Sequence, residues 1–172
     1  MNAATDNEAL QGAQASPARF TGRYAGKLDA KGRIVVPPEF RQRLAGGEIY
    51  VFPHFDEPLL QCGDDQLVHD LLSALGGLDE FDEDRAILEE EITGGVMRVG
   101  IDDTGRTSLP KALREHAALE GPLSFAGRGQ HFVLGTAAYL DSRREAARAA
   151  AVKHRETLRA RMLPSVRSRR SS

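Results

Sequence analysis

The chain carries one short segment twice, and this duplication constrains its fold more than any other feature. Residues 29–41 read DAKGRIVVPPEFR and residues 102–114 read DDTGRTSLPKALR, at a constant offset of 73 positions. An Asp, a Gly, an Arg, a Pro and a final Arg are identical in register. Internal repetition indicates a structural unit that occurs more than once. We therefore expect two copies of one small half-domain, called here the first and the second repeat.

Each copy predicts the order strand, tight turn, strand and short helix. An Asp followed three residues later by a Gly is typical of a tight turn, because Gly32 and Gly105 can adopt a positive φ. Residues 34–36, Ile-Val-Val, have strand composition. Pro38 suits the first position of a short helix. The second copy is similar, with Pro110 followed by Leu113 and Ala117.

Periodic apolar residues predict the elements between and after the two copies. We expect strands at 49–52, 123–126 and 131–134, helices at 66–75, 82–92 and 137–163, and a turn at 127–130. The predicted domain organisation is a disordered leader at 1–19, the first repeat at 20–70, connecting helices at 71–92, the second repeat at 93–137, a C-terminal helix at 138–163 and a basic tail at 164–172. The leader lacks the basic start and apolar stretch of a signal peptide.

Charge is distributed unevenly along the chain, although the net charge is only −2. Residues 51–93 carry −12, whereas residues 20–50 carry +3 and residues 121–172 carry +8. Because salt screens electric fields beyond about 8–10 Å, a partner responds to local charge and not to the average. Basic ends around an acidic middle favour a protein with one face for DNA and another face turned away from it.

Arg33 and Arg106 are the strongest candidates for DNA contact, because each directly follows a turn glycine and is expected at the tip of a hairpin. A guanidinium there can donate two hydrogen bonds to guanine O6 and N7, or hold a phosphate, and a two-stranded β-ribbon fits the major groove. Alternatively, each arginine pairs with its own aspartate, Asp29 or Asp102, and only stiffens the turn; the two roles are compatible. The expected structural turn residues are Asp29, Gly32, Asp102 and Gly105.

Other basic residues surround the turns and are candidates for phosphate contacts that set the register on DNA. They are Lys27, Lys31 and Arg41 near the first turn and Arg114 near the second. A solvated surface charge is the alternative for each. The second turn has Asp103 and Thr104 where the first has Ala30 and Lys31. We therefore expect the second turn to attract DNA less strongly.

Other kinds of chemistry find little support. The segment 127–129, Gly-Arg-Gly, could suggest a nucleotide loop, but that fingerprint needs a third glycine and a following helix, and here a strand is expected. The histidines and Cys62 lack the spacing of metal ligands, and the acidic residues 79–84 lack the spacing of a calcium loop. We expect no enzymatic activity, no cofactor and no metal. A single cysteine and the absence of a long apolar run favour a cytoplasmic protein without a membrane span.

The predicted C-terminal helix is rich in Ala and Arg, and three roles remain open for it. It could contact DNA, pack on a neighbouring subunit or remain a solvated helix, and we favour packing on a neighbour. Its irregular apolar face comprises Tyr139, Leu140, Ala147, Ala151, Leu158 and Met162.

From about Phe20 to about Met162, the chain resembles the MraZ family of bacterial transcription regulators. The resemblance rests on the doubled Asp-x-x-Gly-Arg motif, which spans Leu28–Arg33 with Pro37 and Arg41, and Asp102–Leu109 with Pro110 and Arg114. Residues 125–132 are similar to the hairpin that follows the second repeat in that family. The chain lacks the tryptophans that often follow each repeat, and residues 56–63 also differ. These departures leave ring size and operator sequence open.

This resemblance implies an α+β fold: two tandem SpoVT-AbrB-like swapped-hairpin β half-domains that form one pseudo-symmetric barrel, with flanking helices. It implies sequence-specific binding to double-stranded DNA at promoter repeats of the division and cell-wall gene cluster, the protein's own operon included. It also implies a ring-like homo-oligomer associated with the nucleoid. Arg33 and Arg106 correspond to the family's motif arginines. Because the same superfamily contains antitoxins, a protein-binding module is the alternative; two repeats and a helical C-terminus argue against it.

Overall fold

The computed structural model describes the backbone of residues 19–167 and the side chains of residues 19–162. Most of the predicted leader and the end of the predicted tail lie outside the described residues. The strands are β1 Arg23–Lys27, β2 Arg33–Val35, β3 Glu48–Pro53, β4 Leu60–Gly63, β5 Met97–Gly100, β6 Arg106–Ser108, β7 Pro122–Gly127 and β8 Phe132–Thr136. The α-helices are α1 Pro38–Arg41, α2 Asp65–Ser73, α3 Glu83–Gly95, α4 Lys111–His116 and α5 Ala137–Arg167.

Six strands form one antiparallel sheet in the order β1-β7-β8-β4-β3-β5. Each repeat supplies one hairpin, β3–β4 or β7–β8, and the two hairpins meet where β4 pairs with β8. The strand before each turn crosses to the other repeat, since β1 pairs with β7 and β5 pairs with β3. The predicted α+β class is confirmed. Within residues 19–167 the sheet ends at β1 and β5, and no closed barrel is seen.

The two strands that follow the turns form a separate ribbon, β2–β6, with one strand from each repeat. Ile34 lies opposite Thr107, and these are equivalent positions of the two copies, so a local twofold relation passes between them. The expectation that each turn joins a paired hairpin is wrong: the strands on either side of a turn pair with the other repeat instead. The reason is that β1 and β5 satisfy their backbone groups at the sheet edges, which leaves β2 and β6 to satisfy each other.

One hydrophobic core serves both repeats, because their strands interleave. Phe40 of α1 and Leu113 of α4 are equivalent residues, and both are buried. The Phe40 ring lies 4.6 Å from the Phe132 ring, measured between centroids. Burial of each such side chain stabilises the fold by roughly 1.5–3 kcal/mol. Pro110, expected at the first helical position, instead caps α4 from the preceding position, as Pro37 caps α1.

Helices cover the two repeats unequally. α3 packs on α2 and β3, where Phe52, Leu75 and Ile92 form a second buried cluster. α5 contacts β7 and β8 near its start, where Leu140 is buried. Every side chain of residues 141–162 is exposed. The two turns and the β2–β6 ribbon therefore lie on an interleaved β-core, while most of α5 extends away from it.

Candidate nucleic-acid interface

The first turn is held by Asp29 through local hydrogen bonds. Its carboxylate Oδ1 accepts hydrogen bonds from the backbone N–H groups of Lys31 and Arg33, each at 2.9 Å. The backbone N–H of Gly32 donates to the Asp29 carbonyl at 3.0 Å, and Asp29 N–H donates to the Arg33 carbonyl at 2.9 Å. A side chain that bonds its own backbone two residues on forms an Asx turn. The aspartate therefore fixes the chain direction at Arg33.

The second turn has the same backbone arrangement around Asp102. Its carboxylate Oδ1 accepts hydrogen bonds from the N–H groups of Thr104 and Arg106, each at 2.9 Å. The N–H of Gly105 donates to the Asp102 carbonyl at 2.9 Å. One contact is added, because the Thr104 hydroxyl donates to the same carboxylate oxygen at 2.7 Å. The shared backbone explains why Asp and Gly recur at a fixed spacing.

The two motif arginines differ in their side-chain contacts. Arg33 Nε donates to Asp29 Oδ2 at 2.7 Å, with both side chains about one-third exposed. Arg106 is exposed, and its side chain makes no ion pair or hydrogen bond with any residue in the described part of the chain. Pairing of each arginine with its own aspartate, considered above as an alternative, therefore holds at the first turn and not at the second.

Both turn aspartates remain ionised at neutral pH. The backbone hydrogen bond from Arg33, opposed by partial desolvation and reinforced by the Arg33 guanidinium, lowers the pKa of Asp29 below its ordinary value. The hydrogen bond from the Thr104 hydroxyl and the backbone N–H of Arg106 lower the pKa of Asp102. Acceptance of hydrogen bonds favours the charged form of a carboxyl group. Each turn thus combines a fixed negative charge with a neighbouring positive one.

The exposed side of the β2–β6 ribbon brings the two arginines onto one surface. Ile34 and Thr107 are buried, so the residues on either side of them must point outward, because side chains alternate along a strand. This surface, the ribbon face, consists of Arg33, Val35, Arg106 and Ser108. Val35 is 50% exposed. Sequence reasoning missed Val35 and Ser108, although strict alternation from each arginine would have found them.

Arg41 and Arg114 cross between the repeats. A Cβ atom at Gly32 would lie 2.8 Å from Arg114 Cζ, and one at Gly105 would lie 2.6 Å from Arg41 Cζ. Each guanidinium therefore lies against the turn of the opposite repeat, and it would have to move if a larger residue replaced that glycine. Arg114 Nε also donates to the Leu109 carbonyl at 3.1 Å, whereas Arg41 Nε is buried without a hydrogen-bond partner among the described residues.

Backbone hydrogen bonds also connect each turn to the opposite repeat. The Val36 N–H donates to the Gly105 carbonyl at 2.9 Å, and the Leu109 N–H donates to the Gly32 carbonyl at 3.1 Å. These bonds are related by the 73-residue offset. Each turn is consequently supported by the residues that follow the other turn.

The remaining basic candidates lie at the periphery of the ribbon face. Lys31 is exposed at the apex of the first turn, and Lys27 is exposed at the end of β1. Arg41 and Arg114 are half-buried beneath the turns. The structure thus separates the six basic candidates into two on the ribbon face, two beside it and two under it.

The other sequence candidates have structural environments of their own. The 127–129 segment connects β7 to β8, which pair as an antiparallel hairpin; the nucleotide-loop interpretation therefore fails, since no helix follows the turn. Cys62 is buried, and burial raises the pKa of its thiol well above the ordinary range. Within the described residues, no group of three or more His, Cys, Asp or Glu side chains could hold a metal ion. In the same part of the chain, no helix is long and apolar enough to cross a membrane.

Fold and site together define a class of protein: a duplicated, interleaved α+β chain whose equivalent turns bring arginines to one face. The chain is 33% identical to the transcriptional regulator MraZ of Methylocella silvestris over 116 residues, which cover 66% of this chain and 71% of that protein. It is 37% identical to the transcriptional regulator MraZ of Parvibaculum lavamentivorans over 120 residues, covering 66% and 73% of the two chains. The chain therefore belongs to the MraZ family of transcriptional regulators. No family model matches it.

Proposed function

We propose that this protein is a sequence-specific DNA-binding transcription regulator and that the ribbon face is its DNA-reading surface. The observation that carries this proposal is the convergence of Arg33 and Arg106 on one exposed face of a two-stranded ribbon. A ribbon of this kind fits the major groove, and each guanidinium can bind guanine O6 and N7 in bidentate fashion. The relatives' printed name, transcriptional regulator, supports the same function.

The surrounding residues divide into base-reading and phosphate-binding groups. Lys27 and Lys31 are exposed beside the ribbon face, where they can hold the phosphates that flank the groove. Arg41 and Arg114 contribute positive charge from beneath the turns and position the turns through their glycine contacts. Val35 can contact a thymine methyl group, as apolar side chains do in the major groove. Asp29 orients Arg33 before DNA arrives.

The finer fold and the assembly form part of this proposal. The crossing of β1 to β7 and of β5 to β3 supports a swapped-hairpin arrangement of two SpoVT-AbrB-like half-domains. Several copies in a ring would present many ribbon faces to promoter repeats, so that avidity supplies affinity. We propose the promoter of the division and cell-wall gene cluster, including the protein's own operon, as the target, and the cytoplasm with nucleoid association as the location.

Fluorescence anisotropy on the DNA upstream of the protein's own coding sequence tests the function. The wild type is expected to bind this DNA more tightly than scrambled DNA of equal length, with an affinity that falls steeply as salt rises. Arg33→Ala should abolish the preference without altering the circular dichroism spectrum. Arg159→Ala, which removes an exposed arginine from α5, is the matched control and should keep the preference.

Two outcomes would count against the proposal. Equal affinity for both DNAs at every salt concentration would indicate a sequence-independent, architectural role. Unchanged operator affinity in Arg33→Ala would show that the ribbon face does not read DNA.

A further inference from the structure

The two repeats differ in what covers their equivalent helices. By the 73-residue offset, α2 corresponds to residues 138–146 of α5, and β3 corresponds to β7. In the first repeat, α3 covers this position and packs on α2 and β3. Its apolar contact includes Leu71, Leu72 and Leu75. In the second repeat, no helix within residues 19–167 covers the corresponding place, although Arg23 of β1 reaches its edge and bonds to Leu140 and Asp141 of α5.

That place is an open cleft of about 510 Å³ between β7 and the start of α5. Arg144, Glu145 and Arg148 stand at the positions equivalent to Leu71, Leu72 and Leu75. Four arginines line it, of which Arg23 pairs with Asp141 and both Arg128 and Arg143 pair with Glu57, whereas Arg144 has no ion pair among the described residues. Because charged side chains replace the apolar ones, the cleft does not suit another apolar helix face. It suits an acidic surface, because carboxylates can replace the water that the arginines lose when the cleft is covered.

Glu57 fixes the start of α5 beside this cleft. Its half-buried carboxylate accepts a hydrogen bond from the Tyr139 hydroxyl at 2.9 Å and forms an ion pair with Arg143 Nε at 2.6 Å. Burial alone would raise the pKa of Glu57, but the Tyr139 hydrogen bond and the charge of Arg143 outweigh it and lower the pKa. Arg144 makes no ion pair or hydrogen bond with any described residue and remains available.

Beyond the cleft, α5 continues as an uncovered helix. Apolar side chains are exposed along it, including Leu158 at 61% exposure and Val152 at 59%. A helix that buries nothing is only marginally stable in water, since most helical stability in proteins comes from packing. Arg148 and Arg155 extend the basic surface that begins at Arg144. A partner surface with negative charge and a small apolar centre would therefore complement this stretch.

The outer face of α3 has this composition. Ile87 is 56% exposed on the side opposite the buried Ile92. The residues three and four positions away, which neighbour Ile87 on the helix surface, are Glu83, Asp84, Glu90 and Glu91. All four are exposed acids. With 13 residues, α3 is about 20 Å long, which equals the length of α5 from residue 143 to residue 155.

We propose that the arginine-lined cleft and residues 143–155 of α5 bind the outer face of α3 in a second copy of this chain. This inference rests on the assembly proposed above and identifies the contact that would build it. Each chain carries both halves of the contact on different surfaces, so the interface is heterologous. Such an interface generates a ring when its rotation closes and a filament when it does not.

Reciprocal charge reversal tests this contact in solution, with the full chain and without DNA. One variant carries Glu83→Lys, Glu90→Lys and Glu91→Lys on α3; the other carries Arg144→Glu, Arg148→Glu and Arg155→Glu on α5. Sedimentation velocity should show that the wild type assembles and that each variant alone sediments as a single chain of 18.7 kDa. An equimolar mixture should assemble again, because the intact α5 of one variant faces the intact α3 of the other, and the reversed charges on the remaining α3 and α5 faces are also opposite in sign.

Matched controls are single reversals on the other sides of the same helices, Glu89→Lys on α3 and Lys153→Glu on α5, which should assemble like the wild type. Wild-type assembly in either triple variant, or a mixture that stays monomeric, would overturn the proposal. Assembly that persists in the α5 variant while its DNA affinity falls would assign α5 to DNA instead. If deletion of residues 1–18 abolished assembly while the α3 variant still assembled like the wild type, the cleft would be assigned to residues 1–18 instead.

The outcome is separable from that of the DNA-binding proposal. Arg33→Ala should leave the sedimentation profile unchanged, whatever it does to operator affinity. Failure of the charge-reversal experiment would therefore leave the ribbon face untouched, and failure of operator binding would leave the helix contact standing.

Discussion

The first and second turns share a backbone and differ in their side chains. Asp29 and Asp102 make equivalent hydrogen bonds to the chain two and four residues on. Arg33 is held by its aspartate at 2.7 Å, whereas Arg106 extends from the surface without such a partner. Around the first turn stand Ala30 and Lys31, where the second has an acid and a threonine.

This difference separates what the interleaved fold requires from what DNA binding can vary. Asp and Gly recur because the turn and the close approach of an arginine from the opposite repeat need them in both copies. The charges at the apex face solvent and carry no such constraint. The first turn therefore presents a pre-oriented, more basic surface, and we expect it to contribute more to DNA affinity than the second.

The largest expected effect is the loss of both ribbon-face arginines. Arg33→Ala combined with Arg106→Ala should lower operator affinity by about 2–6 kcal/mol, since each bidentate contact to a guanine contributes about 1–3 kcal/mol of discrimination. Of the single variants, Arg33→Ala should cost more, because its guanidinium is already oriented. Anisotropy titrations with operator DNA measure both, and equal losses would show that orientation by Asp29 brings no advantage.

The next largest effect is expected at the turn glycines, where alanine substitutions compare the contacts that Arg41 and Arg114 make with the opposite turns. Gly32 and Gly105 both have positive φ, at 74° and 84°, so an alanine costs roughly 1–2 kcal/mol at either position. Gly32→Ala must also displace Arg114, whose Nε hydrogen bond to Leu109 is worth about 0.5–1.5 kcal/mol. Arg41 has no such bond, so we expect Gly32→Ala to destabilise more than Gly105→Ala in urea unfolding.

Double variants separate the two contributions to the loss of stability, which are the strained backbone at the glycine and the displaced arginine. In an Arg114→Ala background, Gly32→Ala should retain its backbone cost and lose the contact cost. A Gly32→Ala penalty that is unchanged in that background would mean that the arginine contact contributes nothing.

A smaller effect isolates the orientation of Arg33. Asp29→Asn and Asp102→Asn keep a side-chain oxygen to accept the turn hydrogen bonds, and both remove one negative charge that would repel DNA. Only Asp29→Asn also breaks an ion pair, and pairs of this kind contribute little because water and salt screen them. Asp29→Asn should therefore bind the operator up to about five-fold more weakly than Asp102→Asn. Identical titration curves for the two variants would exclude an orienting role for Asp29.

The smallest effect concerns pH. Both aspartates have a pKa below the ordinary 3.8, so their ionised forms stabilise the fold at any pH above that value. This contribution is lost as the pH falls through the lowered pKa of the folded state. The difference in melting temperature between the wild type and the double Asn variant should therefore be present at pH 7 and shrink below pH 3.8. A difference that stays constant down to pH 2 would contradict it.

Much of the fold could be predicted from particular residues. Each repeat was predicted to end in a short helix, and α1 Pro38–Arg41 and α4 Lys111–His116 lie at those positions. The apolar periodicity of residues 82–92 predicted a helix, and α3 spans Glu83–Gly95. Strand partners could not be predicted in the same way, because a three-residue strand such as β2 carries no sequence signal for the strand it joins. The expected hairpins at the turns were wrong for this reason.

The candidate site, too, could be predicted only in part from the sequence. Arg33 and Arg106 were identified from their position after a turn glycine, but nothing local indicated that they share a face. That depends on the register of β2 against β6. The environment of Arg41 and Arg114 was equally hidden, since Arg41 lies against Gly105, 64 residues away in the chain, and Arg114 lies against Gly32, 82 residues away.

By itself, the sequence determined the two turns, their aspartate-centred hydrogen bonds and the presence of an arginine after each, because these depend on contacts within four residues. Only the tertiary structure decided that the strands cross between the repeats, that both arginines emerge on one ribbon and that α3 covers one repeat while α5 leaves the other open. Those features depend on which distant backbone groups and apolar faces find each other. That choice is made by the packing of the whole core and not by any short segment of it.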